Sequence, residues 1–476
     1  MFRIVIERLS RRFSERGVEV KPRVGFESLG VPEDWRISAH YRVGAVQCYL
    51  YTDDNGMTRL RFIEPPPPPA ERLKDLVAGI ARPSSEAERY HVERSLSGYG
   101  PLYPLMIDGN IEEVALEGYH SSVSVIHRLV PARWVNVDLK LDPATVDSLV
   151  LQLSRKSGRI VSLLAPYAEG LTGEGYRVAV TFMREVSRFG SSFVIRKYPE
   201  KPVTLADMIA SRTLSPLMAA YLWILVEAQA FIVIIGSMGA GKTTLLQALT
   251  GLIPPYYRVV TIEDTPELRL PNPHWDSLIT RVSIPGESLT EIGLEDLLKF
   301  ALRRRAEYVI VGEVRGREAR LLAQAAALGH GSMTTFHADS PEAAILRLQM
   351  EPISLPQLFL KLITSIVHVR RVPVYGGKVR RRVYSITEVQ DEDLVTVFKL
   401  NPHDDSFNPN SPSEVVKTSS RLEEAWIKLG IPHGELDKEL ERRAELLEKL
   451  AGVDPDNFYK AVTRFYLTEY GEVLRP

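Results

Sequence analysis

Cysteine is almost missing from this chain, which carries a single one, Cys48, in 476 residues. That excludes an internal disulfide and any four-cysteine metal centre, and it fits a reducing compartment. Cys48 itself reads as a small buried apolar side chain. An excess of charge of one sign is also absent, because 59 basic residues face 60 acidic ones for a net charge of −1. No global field draws the molecule to nucleic acid, and none is expected as a partner. A membrane-spanning apolar run is lacking too. Leu217 to Gly236 approaches the length, but Glu227 and Gln229 interrupt it, so it reads as a buried helix followed by a strand. The first twelve residues include Arg3, Glu7, Arg8, Arg11 and Arg12 and lack the apolar core of a signal peptide. A cytoplasmic protein that meets a membrane through a partner is expected.

The length calls for two or three domains. Residues 1–63 read as a small β-containing unit, and Pro65 to Pro69 make 64–69 a stiff proline-rich linker. Residues 70–200 alternate helix and strand as an α+β domain, with helices at 86–96 and 143–157 and strands at 122–126, 178–182 and 192–196. Two prolines within Tyr198 to Pro202 mark a hinge. Residues 203–399 show buried strands at 231–235, 259–262, 308–311 and 333–336 between helical stretches, which predicts an α/β domain with a mostly parallel sheet. Residues 400–476 begin as a polar loop and end as a helical extension. There Leu436, Leu440, Ala444, Leu447 and Leu450 recur at helical spacing as a packing surface.

The strongest chemical signal comes directly after the strand at 231–235. Gly236-Ser237-Met238-Gly239-Ala240-Gly241-Lys242-Thr243 has the spacing G-x-x-x-x-G-K-T and runs, with Thr244, into a helix. Glycines let the backbone turn tightly and aim N–H groups at a nucleotide's phosphates, and the helix adds its positive end. Lys242 is expected to reach the β/γ-phosphates and Thr243 to offer its hydroxyl to Mg²⁺.

Hydrolysis also needs carboxylates and a charge stabiliser. Glu313, in Gly312-Glu313-Val314-Arg315, comes after a buried strand and is a candidate for Mg²⁺ binding, for water activation, or for a surface ion pair to Arg315. Glu263, Asp264 and Glu267 crowd another strand end and call for a compensating cation. Glu263 is the candidate to polarise water and Asp264 a candidate metal ligand, with the general base open between Glu263 and Glu313. His330 and His337 flank the strand at 333–336 and are candidate sensors of the γ-phosphate.

In this order the four motifs resemble the ATPases of type II and type IV secretion, type IV pilus assembly and the archaeal flagellum. Residues 236–243 look like their Walker A motif, 261–267 their aspartate box, 312–313 their Walker B ending and 329–338 their histidine box. The resemblance covers residues 70–400, and the helical tail is similar in style to archaeal members. It implies a RecA-like fold, ATP and Mg²⁺ as cofactors, a homo-hexamer, a polytopic membrane platform protein as partner, and pilin-like or secreted proteins as indirect substrates. It also implies phosphate-reaching arginines from the N-terminal domain, for which Arg177 and Arg196 match and either Arg184 or Arg188 supplies a third. With one cysteine the chain resembles the branch without a four-cysteine zinc subdomain. An ATP-driven assembly or secretion motor is the leading expectation. A nucleic-acid translocase or conjugation ATPase is the alternative, kept open by Arg303 to Arg305 and Lys378 to Arg382.

Overall fold

The structure is a computed structural model that describes residues 36–130, 134–197, 202–281, 290–374, 378–390, 393–432 and 434–471. The first 35 residues, and all of the expected hinge except Pro202, lie outside the described residues. The chain forms two compact units, Met1–Glu200 and Lys201–Pro476.

The first unit is built on β1 (Arg36–Val43), β2 (Val46–Thr52), β3 (Thr58–Ile63), β4 (Ile111–Leu116), β5 (Ser124–His127), β6 (Trp134–Val137), β7 (Tyr167–Leu171), β8 (Arg177–Thr181) and β9 (Ser192–Arg196). They make one sheet in the order β1-β2-β3-β6-β5-β4-β9-β8-β7. The helix Pro143–Lys156 packs on this sheet through Val146, Leu149, Val150 and Leu153, whose spacing puts them on one face. Asp142 caps it by accepting from the Thr145 N–H, and Pro143 suits the first helical position.

Two expected boundaries do not appear as such in this unit. Residues 36–63 are not a separate body, because β3 pairs in parallel with β6 and Leu60 joins the core shared by the rest of the unit. The prolines are not a free spacer either. Glu64 accepts from Tyr90 Oη and the Pro65 carbonyl lies 2.9 Å from His91 Nε2, so the segment is tied along the helix Glu86–Ser97.

The second unit holds β10 (Phe231–Ile235), β11 (Val259–Glu263), β12 (Trp275–Ile279), β13 (Tyr308–Glu313), β14 (Gly331–Phe336), β15 (Ser365–Val374), β16 (Lys378–Gln390), β17 (Asp393–Asn401) and β18 (Ser406–Asn408). Their order is β12-β11-β13-β14-β10-β15-β16-β17-β18. All neighbours from β12 to β15 run parallel, and β16, β17 and β18 continue antiparallel. This is the RecA-like α/β arrangement that was expected, with β10 inside the sheet and buried throughout.

The apolar stretch at 217–236 is the helix Pro216–Glu227 followed by β10, and every residue from Leu217 to Glu227 is buried. Among the described residues, no helix is long and apolar enough to cross a membrane.

Residues 400–476 are less separate than expected. Asn401 ends β17, and the helices Ser420–Leu429, Leu436–Lys449 and Pro455–Gly471 bury Leu422, Leu440, Leu447, Phe458 and Tyr466 in the core that also holds Leu245 and Leu249. Trp223 Nε1 donates to Tyr466 Oη at 2.7 Å, and that hydroxyl donates to the Leu252 carbonyl at 2.7 Å.

Candidate active site

At the C-terminal end of β10 the chain turns through Gly236 to Gly241 into the helix Lys242–Thr250. Gly236 has φ +154°, and a Cβ there would stand 2.3 Å from the Val369 carbonyl oxygen of β15. Only glycine lets the loop leave the sheet this close to its neighbour. Ser237, Met238 and Gly239 are exposed, Ala240 is buried beneath them, and Thr243 and Thr244 are half-buried on the first helical turn. The loop therefore faces outward while its base is fixed in the sheet.

Lys242 is buried and folds back over this loop, donating from Nζ to the Ser237 carbonyl at 3.2 Å. Its ammonium lies 3.3 Å from His337 Nδ1, and His337 Nε2 lies 3.0 Å from Glu313 Oε1. An ammonium only donates, so a ring nitrogen of His337 accepts from Lys242, whose Nζ also lies 3.5 Å from Nε2, while Glu313 Oε1 is buried with no hydrogen-bond partner among the described residues. Burial, and then the neighbouring Lys242 charge, hold the His337 pKa below its ordinary value, which disfavours the charged ring. Burial likewise lowers the Lys242 pKa, with Glu313 opposing it.

The other oxygen of Glu313 pairs with Arg315, through Nε at 3.0 Å and also through Nη2. The ion pair considered from the sequence thus exists, beside the contact to His337. Thr335 Oγ1 donates to the Gly312 carbonyl at 2.8 Å and fixes the backbone just before Glu313.

Glu263 ends β11, next to β13, and its Cγ is 3.2 Å from where a Gly312 Cβ would stand. Its Oε1 accepts the N–H groups of Glu267 and Leu268 at 2.9 and 3.1 Å, which ties the carboxyl-rich loop to the strand end. Its Oε2 is buried without a hydrogen-bond partner among the described residues. Burial pushes its pKa up to about 7, against the two N–H groups that pull it down. Asp264 is exposed and accepts from Thr280 Oγ1 at 3.2 Å.

Gly236 to Thr244, His337 and Glu313 are thus brought to one end of the sheet, with Glu263 and Asp264 at the end of the neighbouring β11. His330 is not among them. It precedes β14 while His337 comes after it, so the strand's rise of roughly 3.3 Å per residue separates them by about 20 Å. His330 Nδ1 lies 2.6 Å from the Ala306 carbonyl, which is a structural contact at the far end of the sheet. Arg347, which sequence reasoning missed, donates to the His337 carbonyl and lies over the Phe336 ring at 5.1 Å. Nothing in the sequence near Arg347 signals this contact.

Arg177 and Arg196 belong to the first unit. They face each other across β8 and β9 in register, and Arg177 is paired with Glu169 at 2.5 Å. Arg196 is exposed and also opposes Glu113 across β4 and β9. Arg184 and Arg188 are both exposed between β8 and β9, with Arg188 over the Phe189 ring.

A family model described as Type II/IV secretion system protein matches residues 174–372. The uncharacterized protein MJ1287 of Methanocaldococcus jannaschii is 42% identical over 273 residues, covering 56% of this chain and 97% of that protein. Uncharacterized protein MJ0900 of the same organism is 34% identical over 383 residues, covering 78% of this chain and 67% of the relative. Among solved structures, the VirB11 ATPase from the Brucella suis type IV secretion system, in complex with sulphate, is 27% identical with a TM-score of 0.31. That match covers 61% of this chain and 93% of VirB11.

Proposed function

Because the chain belongs to the type II/IV secretion ATPase family, we propose that it is a motor that hydrolyses ATP to drive protein secretion or the assembly of a type IV pilus-like or archaellum filament. The observation that carries the reading is the run from Lys242 through His337 to Glu313 beneath the glycine loop. The loop with its outward-facing residues, and the positive end of the helix Lys242–Thr250, fit a nucleotide's phosphates. Bound ATP would supply a phosphoanhydride, and Mg²⁺ would supply charge neutralisation with the Thr243 hydroxyl and Glu313 as its protein ligands.

Lys242 holds positive charge at the terminal phosphates. His337 links that lysine to Glu313 and is placed to register which phosphates Lys242 engages. Glu313 and Glu263 divide the remaining work. Glu263, with a pKa near neutrality, suits proton transfer, but its Oε1 is engaged with the loop backbone. Glu313 is more accessible and sits nearer Lys242, so we assign it the orientation of water. Arg177 and Arg196 are proposed, on the resemblance, to add positive charge toward the transferred phosphoryl group. A hexameric ring acting on a polytopic membrane platform protein, and a site of work at the cytoplasmic membrane, belong to the same proposal.

The basic segment at Lys378 to Arg382 that kept the translocase open is partly neutralised, since Arg380 and Arg382 share Asp405. The test is phosphate release by the full chain with ATP and Mg²⁺. Turnover that Lys242→Ala abolishes, and that acidic lipid vesicles stimulate, is expected. Stimulation by DNA with a steep salt dependence would favour the translocase instead.

A further inference from the structure

The hairpin of β15 and β16 rises beside the glycine loop and carries five arginines, of which Arg371 and Arg381 stand directly opposite each other. Like charges facing across a strand pair destabilise it unless something compensates. The other three are accounted for. Arg382 donates to Asp405 at 2.7 and 2.8 Å, Arg380 lies 3.6 Å from the same carboxylate, and Arg370 lies over the Tyr384 ring. Arg371 and Arg381 are exposed, and neither side chain has a hydrogen bond or ion pair among the described residues. Among those residues, this face of the hairpin carries two positive charges and nothing to balance them.

Their position says what would. A Cβ added to Gly241 would stand 3.2 Å from Arg381 Cδ and 3.8 Å from its Nε. Arg381 therefore lies on the backbone that opens the helix Lys242–Thr250, where phosphates are expected to bind. Strand order then separates two sides of the loop. Glu313 and His337, on or just after β13 and β14, flank it on one side of β10, and β15 with β16 flanks it on the other. The first side carries the groups that act on the terminal phosphate, so the second faces the opposite end of the nucleotide.

We propose that Arg371 and Arg381 form the nucleoside-side wall of the site, holding the α-phosphate and ribose end of ATP or ADP. This rests on the reading of Gly236 to Thr243 as the nucleotide loop. Guanidinium groups suit that place, since they donate several hydrogen bonds to phosphate and stack on planar rings. The pair contacts what ADP and ATP share, so it sets affinity and leaves the chemical step alone.

Equilibrium binding of ADP and of ATP to the full chain tests this, with Arg371→Ala, Arg381→Ala and Arg381→Lys compared with the parent. Both nucleotides should lose about tenfold or more in affinity with Arg381→Ala, as expected for a lost charge-assisted hydrogen bond. Arg371→Ala should weaken both in the same sense, and Arg381→Lys should recover part of the loss. In turnover assays KM should rise while kcat stays within about twofold, the pattern of a uniformly bound group. Unchanged affinity, or a loss confined to ATP, would overturn the proposal. So would a selective loss of single-stranded DNA binding with nucleotide affinity intact. If the parent chain bound neither nucleotide, the reading of the loop itself would fail, a result distinct from parent binding that the variants leave unchanged.

Discussion

Glu263 is pulled two ways, since two backbone N–H groups favour its charged form while burial disfavours it more strongly. Its folded-state pKa of about 7 lies above the ordinary 4.5, so the fold prefers the protonated carboxyl. The stabilisation this gives is full below 4.5 and is lost as pH rises through about 7. Relative to Glu263→Gln, which cannot titrate, the parent should lose roughly 3 kcal/mol between pH 4.5 and pH 8. Thermal melting of both proteins at pH 5 and pH 8 reads this, and an identical gap at the two values would refute it. At this scale the sequence showed which residue types gather at strand ends but not how each side chain is used. Glu263, Asp264 and Glu267 looked alike on paper. The structure turns Asp264 out to Thr280 and gives one Glu263 oxygen to the loop backbone. His330 and His337 were equally plausible until the length of β14 put them at opposite ends.

Among the elements, the helix Leu436–Lys449 ties the tail to the core. Its Arg443 is buried between Trp223 and Phe465, with Nη2 2.6 Å from Glu227 and Nε 2.6 Å from Glu439. Arg443→Met takes the guanidinium away from the buried Glu227, so it should cost about 3–5 kcal/mol, and adding Glu227→Leu should restore most of that. Denaturant unfolding distinguishes the outcomes, and a single-variant loss below about 1 kcal/mol would mean the pair is not buried as described. The apolar stripe of this helix was legible because Leu436, Leu440 and Leu447 repeat at helical spacing. Its partner was not, because the helix Pro216–Glu227 lies some two hundred positions earlier and carries no mark of what covers it. The hairpin of β15 and β16 was missed for a different reason. Its arginines looked like a basic run, whereas alternation across a strand sends Arg380 and Arg382 to Asp405 and Arg381 to the glycine loop.

In the molecule as a whole, the order of the sheet is what turns separated motifs into a site. β14 lies between β10 and β13, so His337 falls between Lys242 and Glu313, although the three are far apart in the chain. The α/β class and the loop were readable because strand, glycine loop and helix succeed one another directly. The order of strands was not, since it depends on contacts between segments with no local signature. The joining of residues 36–63 to the first sheet, and of the tail to the second core, escaped for the same reason. A motor needs nucleotide binding and hydrolysis to be separable steps carried by different residues of this site. The most direct measurement is a single turnover of ATP on Glu313→Gln, tracking bound ATP and released phosphate together. Retained, uncleaved ATP at near-parental affinity is predicted; cleavage at the parental rate would contradict the assignment of Glu313 and the hydrolytic centre built on it.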